Sequence, residues 1–280
     1  MNTFFKIMQK RKITIAGIAF LSILTVFAIF APFLSKYNPL DIDPSVRLQT
    51  PSLKHFFGTD NFGRDIWSRV VFGARTSLIS SIGVVLFSIS LGIFIGLVAG
   101  YFRFLNAPFM RLIDVMMAFP SLLLALVLMT IFGRGLLNVI FAVGITYLTR
   151  TTRIVYGMTL KIKEEVYVEA FRASGASDIR LLLKHIFPNL TSPVIVQATF
   201  TFAFSLLDMA SLDFLGLGLP PEIPSWGNML SEGSIYLSRA PWMLIFPGLF
   251  IVLTVLSFNL IGDFLRDQVD PRFRHDIQGV

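Results

Sequence analysis

The sequence predicts an all-α integral membrane protein with six transmembrane helices, on three observations. Of its 280 residues, 54% are hydrophobic and only 15% charged, where a soluble domain carries about 25% charge. Five charge-free stretches are each long enough for a bilayer core, which takes roughly 20 apolar residues in a helix. The cations gather at the ends of those stretches. That distribution assigns the net charge of +7 to a lipid bilayer and not to nucleic acid. With no cysteine in the chain, a disulfide scaffold, a cysteine–metal site and a thiol enzyme are excluded.

Taken in order, residues 1–12 read as a basic N-terminus and 13–35 as the first transmembrane helix, built on the apolar run from Ile13 to Leu34. The run is too long for a signal-peptide core and no small-residue cleavage site follows, so an uncleaved signal anchor is expected. Residues 36–73 form a polar segment with prolines at 39, 44 and 51. Its end, Asp65 to Arg75, mixes Trp67, Val70, Val71 and Phe72 with Arg64, Arg69 and Arg75, which suits a helix lying in the outer interface.

A core region, 74–263, holds the other five spans. The run from Thr76 to Phe102 carries Ser88, Gly92, Gly96 and Gly100 at four-residue spacing, one helical stripe that lets a neighbouring backbone come close. Packing within the chain is favoured over contact with a second chain. Val115 to Gly133 follows, with Arg111 and Asp114 spaced to pair near the inner interface and Pro120 expected to bend it. The shorter Gly135 to Thr149 spans if Arg134 and Arg150 reach the two interfaces. Ile186 to Leu207 and Ala240 to Gly262 complete the set. The tail, 264–280, has Arg266, Arg272 and Arg274, suited to an anionic inner leaflet.

Six spans place both termini on one side. With that side inside, the inner segments take Lys6, Lys10, Arg11 and Lys12, then Arg103 and Arg111, then seven cations from Arg150 to Lys184, then the tail arginines, two-thirds of the 24 in all. Six of the others lie in the long outer loop, where the bias is weak. Both termini are expected to be cytoplasmic.

The inner loop 150–192 is neither apolar enough to span nor biased enough to be disordered. Glu164 to Gly175 reads as a short helix with acids in its first turn and a glycine free to take the left-handed position after it. Ser177 or Asp178 then caps a second helix, Ile179 to Phe187, stopped by Pro188. On the first helix Val166, Ala170 and Ser174 make one stripe, and Tyr167 and Phe171 another beside it. Such a face either packs back on this chain or enters a groove of a partner, and residue physics leaves the two open.

No phosphate-cradling Gly-x4-Gly-Lys-Ser/Thr loop is present. His55, His185 and His275 are far apart with no metal-ligand spacing, and no catalytic constellation is found. Asp208 stands some 22 Å along the fifth span from Pro193 at 1.5 Å per residue, in its outer half. An intramembrane carboxylate marks a cavity or pathway by default, so Asp208 is a pathway candidate. Asp213 is expected to meet water or Arg239 at the outer mouth.

Glu169-Ala170, Gly175 and Ile186-Phe187-Pro188 together resemble the EAA motif of ABC importer permeases, with Phe171 at the usual second alanine and Phe187 at a usual leucine. His55-Phe-Phe-Gly58-Thr-Asp60-Asn-Phe-Gly63-Arg-Asp65-Ile-Trp-Ser68-Arg69 to Gly73-Ala-Arg75-Thr-Ser77-Leu78 is similar to the signature of the C-type permease in the dipeptide, oligopeptide and nickel importer family. Phe214-Leu-Gly216-Leu-Gly218, Pro224-Ser-Trp226-Gly227 and the Gly262 to Arg272 tail are similar to the same family. The resemblance implies a type I ABC importer permease fold in a bacterial inner membrane. It also implies a B-type permease partner, two ATP-binding subunits and an extracytoplasmic solute-binding protein. This chain would hold no cofactor, ATP being bound by the partner subunits. Tyr167, Glu169, Ala170, Phe171 and Gly175 would couple it to the ATPases. The implied solutes are di- and oligopeptides. Met209, where the peptide branch often has its acidic residue, keeps nickel or a metal–metallophore complex open, while a membrane enzyme or a structural assembly protein is disfavoured.

Overall fold

The computed structural model describes residues 2–269, with side chains from 12 to 268. Arg272, Arg274 and the rest of the tail motif lie outside the described residues. Apart from a loop over 35–65, the described chain is mostly helical, in the order α1 (Asn2–Ile29), α2 (Ala31–Leu34), α3 (Ile66–Tyr101), α4 (Arg103–Met117), α5 (Ser121–Phe132), α6 (Leu136–Ile162), α7 (Val166–Ala173), α8 (Asp178–Leu181), α9 (Phe187–Phe214), α10 (Trp226–Ile235) and α11 (Trp242–Val269).

Among the described residues, four helical stretches are long and apolar enough to cross a membrane: Lys12–Ile29, Ile66–Tyr101, Asp178–Phe214 and Trp242–Gln268. The third expected span is broken: α4 and α5 meet at 99° and count together as a fifth crossing only if the pair is one span. Pro120 explains the break, since a proline disfavours helix in the residue before it and donates no hydrogen bond. The expected fourth span, α6, has 27 residues and thus the length to cross. Arg150 and Arg153 keep it too polar to count on composition. Arg150 does not mark the end of this helix, which runs three turns further, to Ile162.

Two other expectations are corrected. Residues 65–75 are not a separate interfacial helix. Asp65 caps Ser68 N–H at 2.9 Å, and from Ile66 the chain continues without a break as the 36-residue α3. Pro188 does not stop the helix before it. A π turn, Leu182–Ile186, joins α8 to α9, and its wider winding accommodates the missing donor and the ring.

The centre of the bundle is the α3–α6 seam. A Cβ on Gly92 would meet Thr151 at 2.7 Å, on Gly96 Val155 at 2.7 Å, and on Gly100 Thr159 at 2.7 Å. The small-residue stripe therefore packs within the chain, as favoured from sequence. The pairings also show that α3 and α6 run parallel. Around the seam, Val84, Met129, Val143, Tyr147 and Met209 form one apolar core, and Leu24, Leu78, Phe202 and Trp226 another that brings in α1 and α11.

Candidate functional site

Three places concentrate the sequence motifs. The first is the elbow made by α7 and α8, on the side expected to be cytoplasmic and called inner. In α7 only Val168 is buried, at 0% exposure, and it anchors the helix to Leu97, Val155, Leu181 and Ile186. The two stripes separate. The Phe171 ring stacks on His185 with centroids 4.0 Å apart. Tyr167 Oη donates to the His185 carbonyl at 3.5 Å and accepts from Asn189 Nδ2 at 3.2 Å. The other stripe stays uncovered: Val166 is 80% exposed, and with Glu169, Ala170, Arg172 and Ala173 it lines a shallow, open depression.

Gly175 ends α7 at φ +84°, a conformation that costs other residues roughly 1–2 kcal/mol, with nothing within 4 Å of its would-be Cβ. Ser177 holds the expected cap position through its carbonyl, not its side chain. Tyr101 Oη reaches Asp178 instead, tying the foot of α3 to α8. Beside it Lys163 donates to the Gly100 carbonyl at 2.7 Å. Burial, then the Arg103 charge, hold its pKa below the ordinary lysine value. Asp114, expected to pair with Arg111, instead forms an ion pair with Arg153 of α6. The α4–α5 break swings α4 across the inner end of α6 and brings the two together.

The second place is Asp208. It is half-buried on α9 and accepts a 2.8 Å hydrogen bond from Tyr147 Oη of α6. Tyr147 had no signal in the sequence, because its role depends on a helix 61 residues away.

The third place is the outer cap. Arg64 Nε binds Asp60 at 2.6 Å and its Nη2 binds Glu232 at 2.6 Å. Arg69 Nη1 bridges the same two carboxylates. Asp65 accepts from Ser68 and faces His55 Nδ1 at 2.9 Å. The segment similar to the C-type signature is thus a buried ionic knot, closed by Glu232 of α10.

Asp213 plays the matching part for the second motif. It is 4% exposed and does not meet Arg239. Its carboxylate accepts from Leu219 N–H at 2.7 Å and Ser225 Oγ at 2.7 Å. A Cβ on Gly227 would lie 2.6 Å from the Asp213 Cβ, and one on Gly218 would collide with its carboxylate. Trp226, fully buried, donates to the Val70 carbonyl at 3.0 Å. Leu-Gly-Leu-Gly and Ser-Trp-Gly are therefore the two walls of one carboxylate pocket that locks α9, α10 and α3 together.

Comparison with known proteins gives consistent matches. Residues 88–275 match the family described as binding-protein-dependent transport system inner membrane component, and residues 2–51 match the N-terminal TM domain of oligopeptide transport permease C. The chain is 42% identical over 271 residues to the dipeptide transport system permease protein DppC of Alkalihalophilus pseudofirmus, covering 96% of this chain and 89% of that one. It is 38% identical to the di/tripeptide transport system permease protein DppC of Pseudomonas aeruginosa, covering 98% and 93%. Identity to the glutathione transport system permease protein GsiD of Escherichia coli is 40%, covering 98% and 91%. Among solved structures, an inward-facing form of the MetNI methionine ABC transporter superposes with a TM-score of 0.61 at 16% identity, covering 72% of this chain and 97% of that chain. That likeness is one of fold.

Proposed function

Since the chain belongs to the family of binding-protein-dependent transport system inner membrane components, we propose that it carries di- and oligopeptides inward as the C-type permease of an ATP-driven importer. Membership makes it a multi-pass protein of the bacterial inner membrane and a transport subunit of an ABC system, working with ATPase and permease partners. Support for peptides comes from its relatives, named for dipeptide, di/tripeptide and glutathione transport. In this reading a B-type permease completes the pathway and an extracytoplasmic protein delivers the solute. Two ATPases, which bind the ATP, act from the cytoplasmic side, where both termini lie.

The observation that carries the coupling role is the division of labour on α7. Val168 fixes the helix, Tyr167 and Phe171 tie it to the foot of α9, and the Val166–Glu169–Ala170–Ala173 face is left for a partner. A groove on the ATPase takes that face. Because α8, the π turn and α9 are continuous, a push on α7 passes through the ring contacts into the helix that bears Asp208, which lines the pathway. Gly175 is the hinge that sets the angle of the elbow.

Uptake assays decide the solute. Cells lacking this chain should lose import of labelled di- and tripeptides and keep nickel import; the reverse pattern overturns the peptide reading. For coupling, Ala170→Arg should reach the membrane in normal amount yet no longer retain the ATPase on purification. Retention equal to the unaltered protein would exclude α7 as the docking helix.

A further inference from the structure

One face of α6 is uncovered, and over its inner half that face is polar. Arg150, Arg153, Gly157 and Lys161 are exposed, three or four residues apart and therefore on one stripe. The seam with α3 gives their depth. Thr151 opposes Gly92 and Val155 opposes Gly96, so Arg150 stands level with Leu91, near the middle of the charge-free run from Thr76 to Phe102. A cation there costs about 2.5–3.5 kcal/mol against lipid even on insertion scales. This stripe therefore does not face lipid. Arg153 has the Asp114 carboxylate. Arg150 belongs to no ion pair among the described residues, and two turns below it a Cβ on Gly157 would meet open space.

Outward of Arg150 stands Asp208, beside Met209, which packs against Val139, Ala142 and Val143. Tyr147 fixes its carboxylate, and Ser121 and Arg150 are the other side chains that act on it. The guanidinium and the carboxylate feel each other's charge without touching. The half-buried carboxylate on α9 is thus the negative pole, and the exposed guanidinium on α6, inward of it, the positive one.

We propose that Asp208 and Arg150 form a two-pole site for the free termini of a peptide in transit, Asp208 taking the ammonium group and Arg150 the carboxylate. The inference rests on the reading of the chain as a peptide permease. A guanidinium fork matches a carboxylate with two parallel hydrogen bonds, and Tyr147 keeps the Asp208 oxygens aimed. The order of the poles sets a direction: the solute travels with its carboxylate leading towards the cytoplasm.

The test uses the assembled importer in proteoliposomes, with the binding protein loaded to saturation with a dipeptide or its C-terminal amide. Arg150→Gln should slow the free dipeptide about tenfold or more, the scale of one lost charge-assisted pair, and change the amide less than about twofold. Arg150→Lys should restore part of the free dipeptide rate. Equal loss for both peptides overturns the proposal and assigns Arg150 to a partner carboxylate. An unaltered importer that carries neither peptide refutes the peptide reading itself. A second measurement needs no solute. The chain has no cysteine, so Gly157→Cys offers a single thiol. It should react faster with an anionic than a cationic thiosulfonate, and the bias should fall in Arg150→Gln. A thiol that no water-borne reagent reaches, or a bias unchanged by Arg150→Gln, overturns the two-pole site.

Discussion

At the outer end of the bundle, the arginines and carboxylates that turn inward from residues 60–69 all find partners within the chain. At the inner end, α7 buries one side chain of its eight. The outer cap is self-sufficient: Arg64, Arg69, Asp60 and Glu232 neutralise one another, and Asp213 fills a pocket cut to its shape. The inner elbow is incomplete, with an apolar and small-residue face exposed. Motifs of equal prominence in the sequence thus serve opposite ends, one closing the fold and one, in the proposed reading, left open for another protein. The contrast says where substitution should hurt stability and where it should hurt only transport.

The largest expected effect is in the cap. Arg69→Ala leaves Asp60 and Glu232 with Arg64 alone between them, one carboxylate too many for a largely buried site, a loss of about 3–5 kcal/mol. The detergent-solubilised protein should show the deepest fall in unfolding temperature of any variant discussed; an unchanged midpoint would dissolve the contrast. Next comes the seam. Gly96→Leu drives a side chain into Val155, which already lies 2.7 Å from a bare Cβ, and overpacking of this kind costs about 1–3 kcal/mol. Gly175→Val has open space but the wrong backbone angle and should cost about 1–2 kcal/mol. Its sharper signature should be ATP hydrolysis that no longer drives uptake, and normal uptake would remove the hinge from the proposed coupling. Smallest is Val166→Ser, within about 0.5 kcal/mol as for other exposed sites. It should nonetheless weaken retention of the ATPase, and full retention would narrow the docking face to Ala170 and Ala173.

The spans were legible because charge-free runs are local. Their ends were less so, since a helix can outlast the bilayer: α3 begins at Ile66, ten residues before Thr76, as soon as Asp65 can cap it. The sequence predicts a bend at Pro120 and a helix stop at Pro188. One breaks its helix by 99° and the other is absorbed by a π turn, a choice made by the tertiary surroundings and not by the proline. Ser88, Gly92, Gly96 and Gly100 announced a seam, though only the fold says against which helix. The partners of Asp213, at Leu219 and Ser225, were not legible because they depend on how a loop folds back. Glu232 carried no signal, since it meets Arg69 across 163 residues of chain.

The unbroken course of α3 has a mechanical meaning. At 1.5 Å per residue its 36 residues make a strut of about 54 Å, welded at its head to the outer cap and sewn along its lower half to α6. Such a strut has no joint at mid-depth, so it can only swing whole: a lean of about 10° carries its foot sideways by about 9 Å. Whatever pulls at Tyr101 and Asp178 must therefore rock the roof as well as the floor, with no wire of side chains needed between them.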